Sequence, residues 1–379
     1  MTSGSTRARR ATPVFLAVLL AMAAFAAWSA STPAAKPRAG VGKAKLVKAP
    51  PKSLYWGSWI GTGLTGQAAP YDMSAVTAFE RMVNKPPSLI EWAMPFADCA
   101  AQPCKFFNFP VAQVNDVRGY GAIPFLSWSS AAIGVGADPT NQPDFQLQDV
   151  TAGNYDAHIA NFATQAAAWG HPFFLRFDWE MNGNWMPWGA GVNGNRAEDF
   201  VPAWQHVHDI FTSVGATNAT WVWCPYVDVE SEENLRQYYP GDGYVDWTCL
   251  DGYNWGPGSP ANPIPWRSFK TLYEKTYRRV AGKIAPSKPM ILAELATSDY
   301  GGDKPAWIRT MFRQLKRGYN RVHGLIWFNV NDRDAHWELE RSPDAAAAFA
   351  RGISDPMYLT NSFAAAEARP VPVPPPPRR

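Results

Sequence analysis

The sequence predicts an α/β fold in the form of a (β/α)8 TIM barrel. Three observations carry that expectation. Eight short apolar or aromatic runs recur along the chain, and stretches with helically spaced apolar residues lie between them. Together they occupy roughly 300 residues, and strands alternating with helices over that length imply a parallel sheet. Eight repeats imply its closed form, about 250 residues long before insertions.

The barrel is expected over residues 53–368 as a single catalytic-sized domain, with two ends of different composition. Arg7, Arg9 and Arg10 precede an uncharged stretch from Ala11 to Trp28, followed by small residues such as Ala30 and Ser31. A charged start, a short apolar run and a small-residue exit predict an export signal over 1–30. A retained N-terminal membrane anchor is the alternative, and either places the body outside the cytoplasm. Residues 31–52 are Pro, Ala, Gly and Lys without apolar periodicity, a flexible linker. Residues 369–379 (RPVPVPPPPRR) read as a Pro-rich disordered tail, with a cell-wall spacer as the functional alternative.

Within the body the expected strands are LYWGSWI (54–60), LIEWAMPF (89–96), AIPFLSWS (122–129) and FFLRFDWE (173–180). Four more follow: TWVWCPYV (220–227), WTCLDGYNW (247–255), MILAELAT (290–297) and HGLIWFNV (323–330). Helices are expected over DAHIANFATQAAAWG (156–170) and KPAWIRTMFRQLKRG (304–318), each ending in Gly.

Charge and cysteines narrow the setting. The chain's formal charge of +3 comes from its ends, since neither 1–52 nor 369–379 holds an acidic residue; the middle carries 23 basic against 32 acidic residues, a net of −9. An acidic body argues against nucleic acid, whose binding rests on Lys and Arg neutralising phosphates. Four cysteines fit an extracytoplasmic compartment. Cys99 and Cys104, five apart in a loop-like segment, are expected to pair locally; Cys224 then pairs with Cys249, which requires their segments to be neighbours. No Cys-x-x-Cys or His/Cys cluster suggests zinc, and no cofactor is expected.

Barrel sites form at the C-terminal ends of the strands, so polar residues late in each run are the candidates. Alternation along the fourth run places Arg176, Asp178 and Glu180 on one inward face, with Arg176 the obvious partner for Asp178. In the seventh run Glu294 is the lone carboxylate at the end of an apolar strand, with Tyr253 of the sixth run best placed to donate to it. Strands four and seven face each other across the ring. Two carboxyl groups there match the requirement of a retaining glycosidase, which holds them about 5–5.5 Å apart. Glu294 takes the ionised, nucleophilic role, supported by Tyr253 and Arg176. Glu180, followed by the aromatic stretch from Trp185 to Trp188, takes the acid/base role in the drier setting.

The chain holds 18 Trp. Trp56, Trp59, Trp92, Trp128, Trp185, Trp188, Trp223, Trp255 and Trp327 fall late in a run or just after it, where their flat faces suit the C–H faces of sugar rings. Asn182 is expected near the substrate. His158, His171, His206 and His208 fall on helical or connecting segments and are read as structural.

Residues 153–189, with the run Glu-Met-Asn-Gly-x-Trp-x-Pro-Trp, resemble glycoside hydrolase family 26, typified by β-mannanases. KPMILAE (288–294) is similar to the family's nucleophile segment, and Tyr253 to its sixth-strand Tyr. The resemblance spans about residues 53–355 and implies catalytic Glu at the ends of strands four and seven, here Glu180 and Glu294. Family members usually have His before the acid/base; Trp179 stands there in this chain, at a position the family uses to hold the sugar beside the scissile bond. The resemblance implies an enzyme on a polysaccharide, β-mannan first with β-1,3-xylan or mixed-linkage β-glucan as alternatives; a bacterial exopolysaccharide is a further one, and a monomer is the default for an exported barrel enzyme. Transglycosylation uses the same two carboxylates, and a non-catalytic carbohydrate-binding barrel is the competing class. A metal-dependent reading of Asp332, Asp334 and Glu338 loses to a solvated loop after the eighth strand.

Overall fold

The computed structural model describes residues 52–376, apart from 137, 228–230, 260–262 and 333–334. The expected export signal and all but the last residue of the linker lie outside the described residues. Eight parallel strands close into a barrel. They are β1 (Tyr55–Ile60), β2 (Leu89–Asp98), β3 (Ile123–Ile133) and β4 (Phe173–Phe177), then β5 (Ala219–Trp223), β6 (Trp247–Asn254), β7 (Met290–Thr297) and β8 (Val322–Asn329). Closure is made by β1, which pairs with β8 from Tyr55↔Gly324 to Ile60↔Asn329 and with β2 at Gly57↔Leu89. Gly57 is required at that seam: a Cβ there would lie 2.2 Å from the Leu89 carbonyl oxygen. Strand four is shorter than its apolar run, for a reason that matters at the site.

The main surrounding helices are α1 (Met73–Val83), α2 (Val111–Tyr120), α3 (Asp156–Trp169), α4 (Ala197–Ser213), α5 (Phe269–Arg279), α6 (Lys304–Arg317) and α7 (Pro343–Ile353). Helix α3 stops at Gly170, left-handed at φ +76° as a Cβ-free residue allows. Helix α6 starts on Asp303, whose carboxylate accepts from the Ala306 N–H at 2.7 Å. Its Gly318 is extended, so that helix ends without a left-handed turn. After β5 the connection holds only the short helix Glu232–Arg236. Among the described residues no helix is long and apolar enough to cross a membrane.

Both disulfides form as expected, Cys99–Cys104 and Cys224–Cys249. The second is possible because Trp223 and Thr248 are register partners on β5 and β6, which makes the next residue of each a neighbour.

The core lies between strands and helices, and it claims four tryptophans expected at the sugar. Trp56, Trp128, Trp223 and Trp327 are all 0% exposed. Trp128 stacks on Phe162 of α3 at 4.2 Å, while Trp56 and Trp327 pack against Phe349 of α7. Trp223 and Trp327 donate their Nε1–H to the carbonyls of Tyr238 and Trp337. Their side chains point to the helix layer, so these four are packing residues and not substrate contacts. Trp92, also buried, joins them.

The C-terminal segment corrects a second expectation. Between Val371 and Pro374 the chain is docked, not free. Val371 is buried; its N–H donates to Thr220 Oγ1 at 2.8 Å and its carbonyl accepts from Trp247 Nε1 at 2.9 Å. Tyr55 Oη donates to the Pro372 carbonyl at 3.0 Å. Tyr55, Thr220 and Trp247 begin or nearly begin their strands, so the tail closes the barrel end opposite the expected site. Deleting 369–379 is expected to cost about 3 kcal/mol, from one buried aliphatic side chain and a few hydrogen bonds. Urea unfolding measures that loss, and turnover per folded molecule is expected to stay unchanged, as the N-terminal face of a barrel serves stability.

Candidate active site

The sheet ends at Phe177, and the next three residues leave it by an uncommon path. Asp178 and Glu180 both have positive φ, +38° and +55°. Neither is glycine, and side chains resist that region, so surrounding bonds must impose it. Two backbone bonds do so: Asp178 N–H to the Trp128 carbonyl at 3.1 Å, and Glu180 N–H to the Cys224 carbonyl at 2.8 Å. The turn breaks the alternation expected for Arg176, Asp178 and Glu180. Asp178 turns to β3, accepting from Ser130 N–H at 2.8 Å and Ser130 Oγ at 2.6 Å. It is therefore a tie between strand ends and not the partner of Arg176; burial pushes its carboxyl up to about 7.

Arg176 is fully buried and serves three carboxylates instead. Its Nη1 lies 2.6 Å from Asp251 and its Nη2 2.6 Å from Glu91, and Nη2 also pairs with Glu294. Its Nε donates to Ser127 Oγ at 2.8 Å, and that hydroxyl donates to Glu91 at 2.9 Å. A guanidinium is suited to this because its donors form a fixed fork and its charge is permanent. The ring of Trp179 lies 4.8 Å from the guanidinium carbon, on a side closed to water.

Glu294 receives donors on both oxygens, Arg176 on one and Tyr253 Oη on the other. Its N–H donates to Asp251 at 2.9 Å. Both partner strands shift register here, between Leu250 and Gly252 on β6 and between Leu292 and Leu295 on β7 and β8. Such bulges re-aim side chains at strand ends. Tyr253 is held well above the usual phenol range, first by burial and then by the neighbouring carboxylates, so it stays a donor.

Glu180 is 4% and Glu294 5% exposed. Burial, then the charges of Asp251 and Glu294, raise the Glu180 carboxyl well above its ordinary range; the Trp185 Nε1–H donated to its Oε2 opposes the rise. One oxygen each from Glu180, Asp251 and Glu294 lie within 4.8 Å of one another. That spacing could suit a cation, but the buried Arg176 already supplies the positive charge at the cluster.

The arrangement joins one carboxyl raised well above its ordinary range by burial to a second carboxyl held by two donors, at the C-terminal mouth of a barrel. Residues 147–264 match the family model described as "Glycosyl hydrolase family 26". The matched segment, which carries Arg176, Asp178 and Glu180, is of that family. The chain is 30% identical over 310 residues to "Endoglucanase H" of Acetivibrio thermocellus, covering 78% of this chain and 30% of that protein. It is 39% identical over 170 residues to "Mannan endo-1,4-beta-mannosidase A and B" of Caldalkalibacillus mannanilyticus, covering 42% of this chain and 29% of that protein. The chain thus spans about a third of the length of these relatives. Among solved structures, a modular endo-β-1,4-mannanase from Cellulomonas fimi matches with a TM-score of 0.60 at 18% identity, over 82% of this chain and 74% of that one, a likeness of fold.

The remaining predicted residues of this barrel divide by direction. Trp185 is half-buried beside Glu180 and edge-on to Tyr226 at 5.0 Å. Trp255 packs on Trp337 at 4.9 Å and Tyr253 at 6.0 Å. Trp188 is turned inward under Trp179 and donates to the Trp179 carbonyl at 2.6 Å, so it supports the turn and does not face a ligand. Asn182 bridges the backbone of Tyr226 at 3.0 and 2.8 Å, again a support. Glu338 is buried, which corrects the solvated-loop reading at that residue; Asp334 lies outside the described residues.

Sequence reasoning missed Glu91 and Asp251. The available signal was the one that found Glu294: a single carboxylate inside an apolar strand, in LIEWAMPF and WTCLDGYNW. It also passed over Phe328, half-buried at the mouth, 5.5 Å from Trp59 and 5.4 Å from Tyr253.

Proposed function

We propose that the protein is a retaining endo-β-glycosidase that hydrolyses a polysaccharide by double displacement. The observation that carries this is the close approach of Glu180 and Glu294, with carboxylate oxygens within 4.8 Å. Retaining enzymes hold the two groups about 5–5.5 Å apart, and inverting ones leave about 6.5–9.5 Å for a water. Glu180, protonated, donates to the glycosidic oxygen as the bond to the anomeric carbon breaks. Glu294 attacks that carbon and forms a covalent glycosyl–enzyme. Glu180, now ionised, takes a proton from water, which displaces Glu294. Arg176 and Tyr253 orient Glu294, and Asp251 and Glu91 hold Arg176.

β-Mannan is the leading substrate, supported by the mannanase relative. β-Glucan is the second reading, favoured because the endoglucanase match covers the larger share of this chain. Export by residues 1–30 belongs to the same proposal, and N-terminal sequencing of protein from the culture medium tests it.

The test of function is reducing-end release from β-mannan, mixed-linkage β-glucan, β-1,3-xylan and bacterial exopolysaccharides. Release from one polymer, with the β-anomer appearing first in proton NMR, is the expected result. An α-anomer appearing first would overturn the mechanism. Binding without release would favour the carbohydrate-binding reading.

Trp185→Phe is expected to move the alkaline limb of kcat/KM upward by about one pH unit or less. The indole donates to the ionised form of Glu180 and so lowers its pKa; removing that donor raises it, and the acid stays protonated to higher pH. A downward shift of the limb would contradict the assignment of Glu180 as acid.

A further inference from the structure

Lys304, the first residue of α6, is a lysine that the fold has buried, at 2% exposure. Its ammonium has three hydrogens and meets three backbone carbonyls, His336 at 2.8 Å, Trp337 at 3.2 Å and Glu338 at 3.1 Å. Asp299 lies 3.6 Å away. Burying an ammonium is costly unless it is paired and hydrogen-bonded, so this is an anchor that needs all its acceptors. The anchored segment is fastened a second time by Asn329, whose side chain accepts from Leu339 N–H and donates to Glu340, both at 2.8 Å.

What the anchor holds is Trp337. That ring is buried 5.0 Å from Tyr253 and 4.9 Å from Trp255, and Phe328 closes Tyr253 from another direction at 5.4 Å. Tyr253 in turn donates to Glu294. The wall behind the hydroxyl that aims the nucleophile is therefore pinned by a residue on a different element.

We propose that Lys304 is a positioning residue: by holding the carbonyls of residues 336–338 it seats Trp337 against Tyr253 and keeps the Tyr253 hydroxyl on Glu294. This rests on the hydrolytic reading. The test is a double-mutant cycle of Lys304→Met and Tyr253→Phe. Lys304→Met is expected to lower kcat about tenfold with KM changed less than about threefold, and Lys304→Arg to recover most of the loss. In the Tyr253→Phe background the same Lys304→Met change is expected to cost less than about twofold, because the hydroxyl it positions is already gone. Full, independent losses in both backgrounds would overturn the proposal, as would an unchanged kcat in Lys304→Met. Should Lys304→Met fail to fold, Trp337→Phe must show the same coupling to Tyr253→Phe.

A second readout does not depend on turnover. A hydroxyl proton buried between Tyr253 and a carboxylate exchanges slowly and appears far downfield in proton NMR. It is expected in the wild type and in Lys304→Arg and to disappear in Lys304→Met; its persistence there would overturn the proposal even in a protein that hydrolyses nothing. An inactive wild type would count against the hydrolytic reading alone.

Discussion

Glu294→Ala is expected to lower kcat on the polymer by about 10⁵-fold, roughly 7 kcal/mol of transition-state stabilisation. The size follows from the chemistry: without a carboxylate at the anomeric carbon there is no covalent intermediate, and neither half of the double displacement proceeds. Folding should survive. Arg176 keeps Glu91 and Asp251, each 2.6 Å from its guanidinium, and losing one of three clustered carboxylates relieves repulsion at little packing cost. Azide supplies a second, more specific result. It can enter the space vacated by Glu294 and attack from that face, giving an α-glycosyl azide from a β-linked aryl substrate. Turnover within tenfold of wild type, in a variant with a normal urea transition, would remove Glu294 from the mechanism.

Glu180→Ala is expected to lower turnover of the polymer by about 10³-fold, within the 10²–10⁴ that a general acid contributes. An aryl glycoside with a strongly acidic phenol leaving group needs no proton, so its glycosylation rate is expected to come back to within about tenfold of wild type. The alkaline limb of the pH profile, which reports loss of the Glu180 proton, should vanish with the residue. Azide now enters on the face where Glu180 stood and traps the glycosyl–enzyme as the β-azide. Opposite azide products from the two variants assign the two carboxylates to opposite faces of the sugar. If the aryl substrate is slowed as much as the polymer, the acid is another group.

Parts of this were legible before any tertiary structure because local rules decide them. An apolar run bounded by polar turns has few options besides a buried strand, and all eight runs became barrel strands within a few residues of their expected ends. A lone carboxylate in such a run cannot stay unpaired in an apolar layer, so Glu294 had to face polar partners inside the barrel. Glu91 and Asp251 carry the same mark, and reading it consistently would have found all three. Arg176 was legible as a buried cation, but its partners were not. Glu91, Asp251 and Glu294 lie on three other strands, and nothing within the RFDWE segment tells the guanidinium which way to turn.

The tryptophans show the same division. Composition tells that 18 indoles must go somewhere, and strand-end positions narrow the choice. Whether a ring faces the helices, as Trp128 does against Phe162, or the mouth, as Trp185 does beside Glu180, depends on strand register and on where the chain leaves the sheet. Asp178 and Glu180 in the left-handed region illustrate it most directly. Their conformation is imposed by hydrogen bonds that their N–H groups donate to the carbonyls of Trp128 and Cys224, residues 50 and 44 positions away.

The sequence alone thus determined the alternation of strands and helices and pointed to the two candidate glutamates, because each follows from short-range periodicity or from the cost of burying a charge. Tertiary structure decided the partners of Arg176, the side on which each indole lies, the docking of the Pro-rich tail and the anchoring of Trp337 by Lys304. Those are contacts between segments far apart in the chain. Their energies come into being only when the barrel closes and brings the segments within a few ångströms.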